Sequence, residues 1–167
     1  MKNVPQIISG LDIFLDGVGF LGTAQSVTLP KIEAEKQTVE AGGFTRSINT
    51  GVFKQLEAEF TINEYNPAIF TSMIKGKQNG KGVNITLKGS LMQGGKNISF
   101  LATMEGDIDV DDGNFKTKEM VQRKVKMFVD KYMLEVDGKQ NILFDVPNMI
   151  AQIDGVDYLE TLRKQIQ

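Results

Sequence analysis

The sequence predicts a mainly β protein, a β-sandwich or open barrel of antiparallel strands with one central helix and one C-terminal helix. Three observations predict this class. Apolar and polar residues alternate over several segments, 17 glycines are spread along the chain, and only two segments have helical spacing. Residues 1–167 are predicted to form one domain, because no linker or shift in composition divides them.

The strands are predicted from alternation and from turn residues. Residues 11–16 and 20–27 lie on either side of Gly17-Val18-Gly19, a sequence typical of a tight hairpin turn. Asp137-Gly138 marks a second hairpin. Consecutive hairpins favour antiparallel pairing of about seven or eight strands. The later predicted strands cover residues 56–63, 83–88, 98–104, 121–136 and 142–145.

The central helix is predicted after Asn66-Pro67, which supplies an N-cap and a proline at the first helical position. We expect Gly76 to end this helix. Its predicted apolar face consists of Ile69, Phe70, Met73 and Ile74.

The C-terminal helix is predicted to begin at Asp157, which stands three residues before Glu160, the spacing of a capping box. Leu159, Leu162 and Ile166 follow as a narrow apolar stripe. We expect this stripe to dock on the subunit's own sheet, with Arg163 and Lys164 left outward.

The composition argues against most catalytic chemistry. The chain has no Cys and no His, so it lacks thiolate nucleophiles, the commonest general base and the commonest transition-metal ligand. The formal charge of −2 offers no basic excess for holding nucleic acid tightly. No apolar run reaches the roughly 20 residues of a membrane span, and the first residues lack a signal-peptide pattern, which predicts a cytoplasmic origin. We therefore predict no enzyme and no cofactor.

Two local motifs each have a structural and a functional interpretation. Asp107, Asp109, Asp111 and Gly113 are spaced somewhat like a calcium loop, but an acidic turn between two strands is the simpler interpretation. Residues 76–82 are rich in Gly and Lys but lack the spacing of a phosphate-binding loop, so they predict a helix-to-strand connection.

The least regular stretch runs from residue 39 to 53. It combines Gly42 and Gly43 with Phe44, Ile48 and Phe53, which are large apolar residues outside any clear strand. Such residues either pack on their own domain or are buried against another subunit. We predict an extended assembly loop at about residues 40–53, with these five residues as interface candidates.

Four stretches carry a resemblance to a known family. They have the sequences GTAQSVTLPK, YMLEVDGK, DVPNMI and GVDYL, and they cover residues 22–31, 132–139, 145–150 and 155–159. Together with Ala41-Gly42-Gly43, they resemble the major tail tube proteins of contractile-tailed phages. The tube proteins of R-type phage-tail-like bacteriocins are similar.

The resemblance implies a structural subunit of the virion tail, assembled in the cytoplasm of the bacterial host. Six copies would form a ring, and stacked rings would form a conduit for DNA delivery or membrane puncture. The implied partners are other copies of the chain, the tail sheath, a tape-measure protein, baseplate and tail terminator proteins, and DNA in transit. The loop after Gly43 would reach an adjacent subunit or ring.

We predict that the polar faces of the longer strands line the conduit. The candidates are Glu33, Glu35, Glu57, Glu59, Glu105, Lys124 and Lys126. The alternative hypothesis is a monomeric β-sandwich module that binds at a phage baseplate or receptor. An enzyme that uses carboxylates alone is a third class, which the missing His and Cys disfavour.

Overall fold

The computed structural model describes residues 3–19 and 23–167. Most of this part of the chain is antiparallel β-structure with one central and one C-terminal helix, which confirms the predicted class. In chain order its elements are β1 (Ile7–Leu15), β2 (Val18–Gly19), β3 (Ala24–Thr28), β4 (Ala34–Ala41), β5 (Phe44–Phe53), β6 (Leu56–Ile62), α1 (Ala68–Asn79), β7 (Val83–Gln93), β8 (Lys96–Asp111), β9 (Arg123–Val136), β10 (Lys139–Asp145), β11 (Ile150–Ile153), β12 (Val156–Asp157) and α2 (Glu160–Ile166).

Ten of these strands form one branched antiparallel sheet. Its main path is β12-β11-β10-β9-β8-β7-β1-β2, and β3 joins it through β6. The long strand β9 makes the branch, because its first half pairs with β6 and its second half with β10. The register of β8 and β9 shifts between Glu105 and Gly106. A Cβ atom at Gly106 would meet the carbonyl oxygen of Phe128, so the irregularity depends on glycine.

The core lies on one face of this sheet, where inward-pointing side chains from seven strands meet. It includes Ile13, Phe60, Ile85, Met104 and Met127, all nearly inaccessible to solvent. Full burial of such a side chain stabilises the fold by about 1.5–3 kcal/mol. Helix α1 covers this core through Ile69.

Helix α1 begins as predicted, but it does not end at Gly76. The Asn66 side chain accepts a hydrogen bond from the backbone N–H of Ala68, and the helix runs to Gly80, whose φ is +67°. Gly76 is buried inside the helix, where a Cβ atom would lie 2.7 Å from the backbone of Gly82. The predicted apolar face is wrong at two of its four residues, because Phe70 and Ile74 are exposed instead of buried.

The first hairpin differs from the prediction. The chain turns at Asp16-Gly17, and Leu15 pairs with Val18. Strand β3, predicted to complete this hairpin, pairs with β6 instead. Residues 20–22 of the predicted strand, including Gly22 of the family motif, lie outside the described residues.

Residues 40–53 are not the irregular loop that the sequence suggested. They belong to a regular hairpin of β4 and β5, in which Ala41 pairs with Phe44. Gly42 and Gly43 form the turn with φ of +61° and +80°, the two positive values that a type I′ turn needs. The pair Gly42-Gly43 therefore marks a turn between two strands, not an irregular loop.

Among the described residues, no helix combines the length and the apolar character needed to cross a membrane.

Candidate assembly site

The β4–β5 hairpin stands apart from the main sheet and has two unlike faces. Its two strands pair with each other only, within the described part of the chain. Directly paired residues of an antiparallel ladder share a face. One face, here called the apolar hairpin face, carries Gln37, Val39, Ala41, Phe44, Arg46 and Ile48; the opposite face carries Lys36, Thr38, Glu40, Thr45, Ser47 and Asn49.

The apolar hairpin face is open to solvent in the single subunit. Phe44, beside the turn, is 80% exposed, and Ile48 and Val39 are also exposed. An isolated two-stranded hairpin is at best marginally stable in water, and exposed apolar patches commonly mark interaction sites. This hairpin therefore has the properties of a segment that a partner covers.

Phe53 differs from the other predicted interface residues. It is half-buried, and its ring lies 5.3 Å from that of Phe144, centroid to centroid. Lys54 N–H donates to the Glu33 carbonyl at 2.8 Å and closes the base of the hairpin. Phe53 thus anchors the hairpin to its own subunit, which matches the local-packing alternative.

An apolar groove of about 420 Å³ lies beside this anchor. We call it the C-terminal groove, because the residues after β10 form one wall and the base of the hairpin forms the other. The apolar side chains around it include Val52, Phe53, Leu56, Phe144, Val146, Met149, Ile150, Leu159 and Leu162, and its charged residues are Lys54, Asp130 and Asp145.

Asp157 organises the wall of this groove. It lies in β12, not at the start of α2, and its carboxylate accepts hydrogen bonds from Leu159 N–H at 3.0 Å and Ala151 N–H at 3.3 Å. Arg163 donates to the same carboxylate at 2.9 Å and to the Met149 carbonyl at 2.8 Å. The predicted outward orientation of Arg163 is wrong, because these acceptors draw it inward.

These donors set the charge state of Asp157. Desolvation by burial acts to raise the pKa of its carboxyl, but the hydrogen bonds from Arg163, Leu159 and Ala151 outweigh it and lower the pKa below 3.8. The carboxylate therefore stays charged down to acidic pH and keeps the C-terminal segment in place.

The predicted apolar stripe of α2 docks only at its beginning. Leu159 packs against the core, whereas Leu162 borders the C-terminal groove and Ile166 is 61% exposed. The helix spans only Glu160–Ile166 and buries no residue.

Five of the seven predicted conduit residues share one surface, the side of the sheet opposite the core. Glu59 pairs with Lys126, and Lys126 pairs with Asp109 on the next strand. We call this surface the charged sheet face. Its paired positions on β1, β6, β7, β8 and β9 carry eight carboxylates and four lysines: Asp12, Glu57, Glu59, Glu105, Asp107, Asp109, Asp111, Glu135, Lys88, Lys124, Lys126 and Lys131.

Two of the four lysines of this face contact a neighbouring carboxylate or aromatic ring. Lys126 Nζ lies 3.3 Å from the Glu57 carboxylate and 5.3 Å from the centre of the Phe128 ring. Lys88 Nζ lies 5.0 Å from the Phe14 ring centre. The carboxylates outnumber the lysines, so the face is acidic.

Glu33 and Glu35, the other two predicted conduit residues, lie at the base of the hairpin. They border a polar groove of about 450 Å³ together with Glu57, Glu59 and Lys126. Glu33 forms an ion pair with Lys54 at 3.6 Å. The groove joins the charged sheet face to the hairpin, so these residues lie at the edge of that face.

The acidic stretch before Gly113 is a strand through Asp111. Asp107, Asp109 and Asp111 stand at alternate positions of β8, opposite Phe128, Lys126 and Lys124. Side chains two residues apart on a strand are roughly 7 Å apart, too far to wrap one ion. In residues 3–19 and 23–167, no group of three acidic side chains could hold a metal ion.

Arg123 was missed by the sequence analysis. It is 2% exposed, and its guanidinium donates to Asp112 at 2.6 Å and to the Asn66 carbonyl at 2.8 Å. The Tyr65 and Phe70 rings lie 4.7 and 4.9 Å from it. Arg123 lies an even number of residues before Val125 and Met127, so it points to the same inward side of the strand. An arginine at an inward position needs partners, and this pattern could have identified it from the sequence.

Comparisons with known proteins identify relatives of this chain. The family described as "Phage tail tube protein FII" matches residues 5–166. The tail tube protein of Escherichia phage P2 is 26% identical over 169 residues, covering 98% of each chain. A chain in the cryo-EM structure of the anti-feeding prophage baseplate, 6-fold symmetrised, aligns over 80% of this chain and 97% of its own, with a TM-score of 0.46 and 9% identity.

The family match spans the sheet, the hairpin, both helices and the C-terminal segment, which is nearly the whole described structure. The chain therefore belongs to the phage tail tube protein FII family, whose members are structural proteins of the virion tail.

Proposed function

We propose that six copies of this chain form a ring and that stacked rings form the inner tube of a contractile tail. The tube is the conduit for DNA delivery, or for membrane puncture in a particle without DNA. The proposed neighbours are the sheath outside the tube, the tape-measure protein inside it, and the baseplate and terminator proteins at its ends.

The charged sheet face is the observation that carries this proposal. It is a broad, solvated surface with more carboxylates than lysines, and two of its four lysines, Lys88 and Lys126, lie against an aromatic ring or a carboxylate. Such a surface suits the wall of a conduit, because free basic groups would hold phosphates and retain the DNA. In a ring, copies would turn this face inward.

The hairpin and the sheet edges support assembly. Among the described residues, β3 and the outer strands have edges without a partner strand; such edges are templates for pairing with another chain, and closure into a ring removes them. We propose that Gly42, Gly43, Phe44 and Ile48 contribute to the contact between copies, and that Phe53 holds the base of the hairpin.

Electron microscopy of the purified chain tests the assembly. We expect rings or tubes of uniform diameter with six copies per ring. A protein that remains monomeric at high concentration, alone and with a tail fraction, would instead support the monomeric binding module.

Charge reversal tests the conduit wall. The double substitution Glu57→Lys and Glu59→Lys should permit assembly but slow DNA delivery from a DNA-carrying particle, because the new lysines contact phosphates. Asp154→Lys with Glu160→Lys is the matched control, since both carboxylates are exposed and neither belongs to the charged sheet face. Equal ejection rates in the two variants would place Glu57 and Glu59 outside the conduit.

A further inference from the structure

The apolar hairpin face and the C-terminal groove are two unpartnered apolar surfaces at opposite ends of one element. The groove lies where the hairpin is anchored, and Phe44 lies at the hairpin tip. Seven residue steps of about 3.3 Å along β4 separate Ala41, which pairs with Phe44, from Ala34, which pairs with Phe53, so the tip stands roughly 23 Å from its own base. A subunit cannot fill its own groove with its own tip.

We propose that the hairpin of one copy docks in the C-terminal groove of a second copy, with Phe44 as the side chain that fills the groove. This inference rests on the proposed function, because it specifies one contact through which the copies join. It names the receiving surface, which consists of residues 144–162 and the base of the partner's hairpin.

The sizes of the two surfaces agree. A buried phenylalanine covers about 150–250 Å² of surface, and a groove of about 420 Å³ holds such a ring with part of its neighbouring side chains. Val146 and Leu162 on the groove rim are exposed in the single subunit, as Phe44 is. Docking removes all three from water.

The charges also agree. Arg46 lies on the apolar hairpin face between Phe44 and Ile48, and Asp130 borders the groove. Docking by the apolar hairpin face therefore brings a positive charge of the hairpin to a negative charge of the groove, which favours this face over the opposite one.

This contact is heterologous, because it joins a tip to a base and leaves a free tip and a free groove at the ends of any open assembly. Contacts of this kind build closed rings or extended helical stacks, in which every copy is equivalent. A second copy is thus the occupant that the geometry favours over an unrelated peptide.

Disulfide trapping tests the contact, since the chain has no cysteine of its own. The variant Phe44→Cys with Val146→Cys, oxidised after assembly, should give a ladder of covalent multimers on a non-reducing denaturing gel. A disulfide needs Cα atoms within about 7 Å, so the roughly 23 Å between the hairpin tip and the groove at its base excludes a bond within one subunit. Thr45→Cys with Val146→Cys is the matched control, because Thr45 lies on the opposite hairpin face.

Tubes without a ladder, or an equal ladder in the Thr45 control, would overturn this inference while the proposed function stands. Dimers of Phe44→Cys alone would also overturn it, since they indicate pairing of two hairpin tips. Absence of any assembly by the wild-type chain would overturn the proposed function itself.

A second measurement keeps Phe44 in place, in case its replacement prevents assembly. In the single variant Val146→Cys, a maleimide should label the thiol in the unassembled subunit and at least ten-fold more slowly in tubes. The single variant Thr45→Cys should keep most of its reactivity. Equal labelling of Val146→Cys before and after assembly would contradict the proposed docking.

Discussion

Strand β6 and the β4–β5 hairpin are both antiparallel β-structure, but their surroundings are opposite. Apolar and polar residues alternate strictly in β6, and the hairpin places Val39, Phe44 and Ile48 on one face. In β6 the apolar positions, such as Phe60 at 1% exposure, are covered by the rest of the sheet and by α1. In the hairpin the corresponding residue, Phe44, is open to solvent.

The difference lies in what covers the apolar face. Strand β6 has β3 on one side and β9 on the other, and its inward side chains belong to the buried core. The hairpin pairs with no other described strand, and no described residue buries Phe44. Alternation therefore predicts that a face will be covered, but it does not predict whether the cover comes from the same chain.

The largest expected effect separates these two regions directly. Phe60→Ala should lower the free energy of unfolding of the subunit by about 3–5 kcal/mol, because it leaves a cavity in the core. Phe44→Ala should change it by less than about 0.5 kcal/mol, since the ring touches little of its own subunit. Urea unfolding of the unassembled variants measures both values.

Assembly should respond in the reverse order. Phe44→Ala should fold normally and form few tubes, counted by electron microscopy. If Phe44→Ala destabilised the subunit as much as Phe60→Ala, the hairpin would be packed on its own domain and the comparison would fail.

A second prediction concerns the C-terminal segment, which combines a packed part and an open part. Deletion of residues 156–167 should lower subunit stability by roughly 2 kcal/mol, because Leu159 and the hydrogen bonds of Asp157 are lost. Deletion of residues 164–167 is the control and should have little effect, since Ile166 is exposed. Thermal melting of the two truncated subunits compares them, and equal melting temperatures would contradict the docking of Leu159.

A third prediction concerns the covered side of the sheet at alkaline pH. Burial raises the pKa of Tyr132 from 10.0 to about 12. The unfolded chain releases this proton near pH 10 and the folded chain near pH 12, so folding stability should fall as pH rises through this window. Tyr132→Phe should show a shallower alkaline loss in urea unfolding from pH 9 to 11.5. Parallel curves for wild type and variant would show that Tyr132 is not buried.

The smallest expected effect concerns the groove wall at acidic pH. Because the folded-state pKa of Asp157 lies below 3.8, this group stabilises the fold above pH 3.8 and loses that contribution as pH falls through its lowered pKa. Asp157→Asn should melt lower than wild type at pH 7, and the difference should shrink below pH 3.8. A difference that stays constant down to pH 2 would show that the carboxylate charge is irrelevant.

The sequence determined the class of the fold and the pairing of local neighbours. Alternation at Leu56, Ala58 and Phe60 requires a half-buried strand, and Asp137-Gly138 permits one kind of turn. The absence of Cys and His limited the chemistry in the same local way. The sequence also placed Glu57, Glu59, Lys124 and Lys126 on one face, because each alternates with core residues along its strand.

Only the tertiary structure decided what depends on distant contacts. Helix α1 continues through Gly76, and the residue there is a glycine because the Gly82 backbone lies too close for a side chain. The Arg163 side chain is drawn inward to Asp157 and Met149. The tertiary structure also made Phe53 an anchor and Phe44 an open tip, although both are phenylalanines at the ends of one strand. Sequence periodicity fixes which face a side chain occupies, whereas burial depends on which elements the folded chain brings over that face.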